Sequence, residues 1–251
     1  MKHYQPSRWP VALLLVVCMG GSVLALRAVD NVRGNQATLE EMLYVRSGKT
    51  LKRMSLGYSG LLADIYWTRA VQYFGAKHGR GDVRYDLLYP LLDVTTDLDP
   101  HLIVAYDFGS IFLSQAPPAG AGQPDKAVAL VEKGIRENPD QWRLYFTLGY
   151  IHYFDRKDYK SAQLAFQKGS EVPGALSWMK VMAATMAQHA GETSTSVAIW
   201  RRLYESSEEG AIRQNAVQHL VALQVDSDVT ELQNRIQIFR EKTKRAPANW
   251  Q

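Results

Sequence analysis

The side chains able to do acid–base, nucleophilic or metal chemistry are few in this 251-residue chain, and they lie far apart. Histidines stand at positions 3, 78, 101, 152, 189 and 219, and none belongs to a His-Glu-x-x-His run. A zinc site on a helix needs ligands three or four residues apart, and no such spacing recurs. Asp93, Asp97 and Asp99 come nearest to an acidic cluster, but their order does not fit a calcium loop, so a solvated helix end is expected. Gly120-Ala121-Gly122 follows no strand and sits among prolines, which marks a turn-rich insertion rather than a phosphate cradle. Gly57-Tyr58-Ser59-Gly60 lacks the spacing of a nucleophile elbow, and Asp64 with Arg69 reads as a polar helix face. The single cysteine, Cys18, lies in an apolar stretch, so the rest of the chain carries no disulfide and no thiol nucleophile. The expectation is a protein that is not an enzyme, with no metal, no cofactor and no small-molecule substrate.

Charge points away from nucleic acid as well. The net charge of +4 is spread along the chain, and its densest runs, Lys49–Arg53 and Lys242–Arg245, are short. The N-terminus is different in kind. Residues 1–8 carry Lys2 and Arg8 and no acid, and residues 9–26 then run without a charge. A basic head before an apolar core is the export pattern. Eighteen residues in a helix reach about 27 Å, the thickness of a thin bilayer core. The segment is expected to be an uncleaved anchor; cleavage after Ala25 at Val23-x-Ala25 is the alternative. Val17 before Cys18 does not fit a lipoprotein signal. The basic head favours a short end in the cytoplasm and the bulk on the periplasmic side of the inner membrane, or free there after cleavage.

Beyond a tether and lead-in at 27–56, the chain reads as one helix after another. Apolar residues recur at helical period, and no strand-like alternation persists. The expected pairs are 60–76 with 85–98, 101–114 with 124–137, 141–154 with 159–170, and 176–190 with 195–205. Two further helices, 208–224 and 228–244, are expected within a capping region at 206–251. Pro100, Pro139 and Pro173 close three successive pairs, 39 and 34 residues apart. A proline there stops one helix and fixes the turn into the next.

Between those prolines, Tyr145, Leu148, Gly149 and His152 are followed by Ala162, Phe166 and Gly169. Phe108, Gly109 and Phe112 are followed by Ala127, Val131 and Gly134. This resembles the tetratricopeptide repeat, whose small residues let paired helices touch while large ones fill the gap between pairs. The resemblance covers 57–205, with about six residues inserted at 115–124, and implies an all-α solenoid of antiparallel helix pairs behind one N-terminal membrane or signal segment. The stretch Leu43–Gly75 is also similar to bacterial membrane-anchored repeat proteins of no assigned activity.

The resemblance further implies a concave groove lined by the first helix of each pair. Carried onto this chain, its positions hold Ile103, Tyr106, Ser110 and Leu113, then Arg143, Phe146, Tyr150 and Tyr153, then Trp178, Val181 and Thr185. Aromatics beside an arginine have the composition of an interface hot spot, so a protein or peptide partner is expected there. Core packing of the same aromatics is the competing reading. A membrane-tethered scaffold is the function expected; an assembly factor docking by its convex face or its lead-in is the alternative.

Overall fold

The computed structural model describes residues 18–22, 24 and 47–245. Most of the apolar segment at 9–26, and the tether up to residue 46, lie outside the described residues. Among the described residues there is no strand, and no helix is long and apolar enough to cross a membrane.

Short helix α1 (Gly48–Met54) precedes α2 (Ser59–Gly79) and α3 (Leu88–Leu98). The second pair is α4 (Ile103–Ser114) and α5 (Pro124–Glu137), the third α6 (Trp142–Phe154) and α7 (Tyr159–Ser170). Then come α8 (Trp178–His189), α9 (Thr193–Ser206) and the long α10 (Gly210–Arg245). From α2 onward, helices adjacent in sequence pack on one another. Local chemistry sets the ends. Pro124 occupies the first turn of α5, where its missing N–H costs nothing. The Asp158 carboxylate caps α7 by accepting from the Ser161 N–H at 3.0 Å. Gly191, at φ +75°, makes the left-handed turn between α8 and α9 that a side chain would strain.

Three small residues decide how closely helices approach. A Cβ on Gly149 would lie 2.8 Å from the Phe166 ring, so α6 meets α7 only because that position is bare. A Cβ on Gly169 would lie 2.6 Å from Tyr145 Cβ, and one on Gly134 would lie 2.8 Å from Tyr106. Neighbouring turns are stitched together too. Buried Asn138 donates through Nδ2 to the Pro100 carbonyl at 2.7 Å, and its Oδ1 pairs with His101 Nδ1 at 2.7 Å.

Two departures from the sequence reading concern the ends. The lead-in is not all tether, because α1 docks on α3: Leu51 reaches the core, and a Cβ on Gly48 would lie 2.3 Å from Asp97 Cβ. Two helices were expected at 208–224 and 228–244; they are one, because no glycine or proline falls between residues 211 and 245 and the Asp226–Asp228 stretch is fully solvated. Ile212, Ala216 and Leu223 bury the first part of α10 against Trp200 and Leu203 of α9, and every residue from 224 to 243 is exposed.

Candidate functional site

The first helices of the pairs touch across one face of the molecule. Phe112 of α4 stacks 4.1 Å from Phe74 and parallel to Trp67 of α2 at 6.5 Å. The Thr147 hydroxyl of α6 donates to Asp107 of α4. Phe146 of α6 meets Trp178 of α8 edge-on at 5.2 Å.

Along α6 this face carries a line of rings. Phe146 tilts against Tyr150 at 6.4 Å, and Tyr150 stacks on Phe154 at 5.4 Å with 8° between the planes. Spacings of four residues put all three on one stripe. Phe146 is rooted, touching Phe166 of the core, whereas Phe154 is 53% exposed. Tyr153 lies edge-on to Phe154 and leads on to Tyr159, which stacks on His189. Cations bracket the line: Arg143 sits over the Trp142 ring at 5.6 Å, and Lys157 over Phe154 at 5.0 Å. Offset and edge-on rings held this way lose little side-chain freedom when a partner covers them.

The structure therefore brings together Phe146, Tyr150, Tyr153 and Trp178, while Arg143, at the start of the same helix, lies over the Trp142 ring. Thr185 is half-buried on the next helix, and its hydroxyl donates back to the Val181 carbonyl at 2.9 Å. Val181 leans on the C-terminal core instead of standing clear.

On α4 the expectation fails. Tyr106, Ser110 and Leu113 are completely buried and line no groove. The reason is a one-residue error of phase. Gly109 was matched to Gly149, yet a Cβ on Gly109 would meet Leu92 of the preceding pair, not a residue of its own hairpin. The true counterparts are Tyr106 and Tyr145, each facing a glycine on the second helix. Four residues on from each stand buried Ser110 and Gly149, the small positions. A slip of one residue turns a helix by about 100°. The outward side chains of α4 are Val104 and Phe108, the latter 51% exposed, and the sequence reading missed both along with Phe154.

Other polar groups are structural. Lys133 of α5 bridges Asp93 at 2.8 Å and Asp97 at 2.5 Å, so the acidic residues of α3 hold a lysine instead of ending a solvated helix. Burial works against the Lys133 charge, but the two carboxylate hydrogen bonds outweigh it and raise its pKa. His152 is buried, and desolvation depresses its pKa although Asp158 stands 3.8 Å away. Among the described residues no group of three His, Cys, Asp or Glu could hold a metal ion.

A concavity of about 790 Å³ opens among α7, α8 and α9, lined by Ala183, Lys180, Arg202 and Glu171. Hydroxyls of Ser170, Ser194 and Thr195 line it.

The chain matches no protein-family model and no curated protein.

Proposed function

We propose that the protein is a membrane-tethered scaffold of tetratricopeptide type, which holds a protein or peptide segment against the aromatic line of α6. One observation carries this reading: Phe146, Tyr150 and Phe154 stand as a stacked, part-exposed row beside Trp178. A row eight residues long spans about 12 Å, the reach of a four-residue extended segment. Arg143 and Lys157 at its ends favour an apolar segment with acidic flanks. The uncharged run at 9–26 supports the tether, and the basic head before it supports a periplasmic position for the repeats. No catalytic step, cofactor, metal or nucleic acid enters this function.

The test is a photo-crosslinking side chain placed at Tyr150 in the full chain, in intact membranes, with one at Gln167 on α7 as a control. A partner captured from Tyr150 and not from Gln167 is expected. Tyr150→Ala should then weaken binding of that partner roughly 30-fold, since a truncated central aromatic costs about 2 kcal/mol. Capture from Gln167 alone would transfer the function to the groove among α7, α8 and α9. That outcome belongs to the second reading, an assembly factor docking by its convex face, which Lys180 and Arg202 of that groove favour.

A further inference from the structure

Helix α10 leaves the solenoid after Leu223, the last buried residue along it, and runs on with no covering neighbour among the described residues, every residue from 224 to 243 being exposed. An apolar stripe runs along the projecting half. Val225, Val229, Leu232, Ile236 and Phe239 follow one another at steps of four, three, four and three, and they are 46 to 69% exposed. That alternation is the seven-residue repeat of a coiled coil. Upstream, the residues that α10 turns toward α9, namely Ile212, Ala216, His219 and Leu223, lie on a different face of the helix from this stripe.

The charges beside the stripe identify what covers it. Asp226 and Asp228 flank its start, and Arg240 and Lys242 flank its end. A second α10 laid antiparallel, with Leu232 against Ile236 and Val229 against Phe239, puts each Asp226 beside an Arg240 and each Asp228 beside a Lys242. Both relations occur twice, giving four opposite-charge contacts. Arg235, near the centre of such a pair, is already neutralised by Glu231 one turn back on its own helix. A parallel pair would instead set Arg235 against Arg240 of the other copy, twice, and gain no opposite-charge contact. Flanking charges of this kind choose orientation and partner more than they add affinity. We infer that the projecting half of α10 forms an antiparallel two-helix coil with a second copy of this chain, joining two solenoids through their C-terminal ends.

The experiment uses the full chain in the membranes that hold it, with Cys18→Ser as background and two distinguishable tags. Chains carrying Asp226→Cys and Arg240→Cys are co-expressed and treated with a short bis-maleimide. A cross-linked dimer bearing both tags is expected, because the two positions face each other only in the antiparallel arrangement. Within one helix they are fourteen residues, about 21 Å, apart and cannot be bridged. Adding Leu232→Glu should abolish the two-tag product while leaving helix content unchanged, since Leu232 is exposed in the single chain. Loss of the product with Leu232→Glu supports the coil. A product that survives this change places the association elsewhere and overturns it. Phe239→Cys cross-linking to itself would mean a parallel pair and equally overturns it. Chains that stay unlinked, whether the stripe then takes lipid vesicles or an unrelated protein, overturn it as well. None of these outcomes depends on what α6 binds.

Discussion

Helices α4 and α6 occupy equivalent places in successive pairs, yet they spend their large side chains in opposite ways. On α4, Tyr106 and Leu113 are sunk completely, between Gly134 behind and α3 below, and the Tyr106 hydroxyl points at the Thr96 carbonyl, 3.5 Å away. Burial raises the pKa of that hydroxyl, so it stays a neutral donor at any physiological pH. On α6, the corresponding Tyr145 also faces a glycine, but a further row of rings rides outside it and keeps part of its surface in water. The difference teaches that the inner layer is set by small partners, while the outer layer is free to vary. Stability should therefore follow the inner layer, and recognition the outer.

The sharpest way to break that division is truncation in each layer. Tyr106→Ala removes a fully buried ring and should cost about 3–5 kcal/mol. At roughly 2–4 °C per kcal/mol for a domain of this size, melting should fall by on the order of 10 °C. Tyr150→Ala should cost about 1 kcal/mol or less, because its ring keeps access to water. Equal melting shifts for the two would erase the distinction. A second contrast turns on glycine. Gly149→Ala pushes a methyl into the buried Phe166 ring and should destabilise by about 1–3 kcal/mol. Gly75→Ala on α2 meets nothing within 4 Å, so it should stabilise by up to about 1 kcal/mol through helix propensity, and denaturant melts would show the opposite sign.

The smallest expected effect is a pH slope. The folded pKa of His152 lies below its ordinary 6.5, through burial, so the unfolded chain takes up the proton first. Its stabilisation is full above about pH 6.5 and is lost as the pH falls through that value toward the folded pKa. His219, stacked 4.2 Å from Trp200 and also depressed by burial, tilts the curve the same way. His152→Gln should flatten part of the decline between neutral and mildly acidic pH, measured as the denaturation midpoint. An unchanged slope would mean that Asp158 compensates the buried ring.

Much of the solenoid was legible because helix ends are local events. Proline punctuation, helical apolar period and small residues at contact points located the helices from α2 to α9 within a few residues. What escaped was decided between elements. Helix α1 carries Gly48, a poor helix former, and exists by docking that glycine against Asp97. The continuity of α10 escaped because Asp226-Ser227-Asp228 looks like a break in sequence but meets no constraint in solvent. The phase of α4 escaped for a subtler reason: Gly109 and Gly149 look alike in a repeat, but one makes room for the previous pair and the other for its own. Phe108 was hidden by the same ambiguity, since exposure of an aromatic follows from phase, not from type; Phe154 falls one residue past Tyr153, the last groove position carried over on α6.

The insertion between α4 and α5 has its own bearing on how the array comes apart. Ala121 and Gln123 donate their N–H groups to the carbonyls of Phe112 and Leu113, at 2.8 and 2.7 Å, and the Pro118 carbonyl accepts from the Tyr85 hydroxyl at 3.3 Å and lies 2.8 Å from His78 Nδ1. A plain solenoid holds each unit only by its neighbours and frays inward from whichever end is weaker. Here the loop ties the far end of α2 and the entry to α3 directly to the second pair. The first pair cannot peel away while the loop is in place, so α2 through α5 open together as one cooperative block. In hydrogen exchange, the amides of Ala121 and Gln123 would report the opening of that block, and this connecting loop, seated on the core through Ala121, would protect as well as the helices it joins.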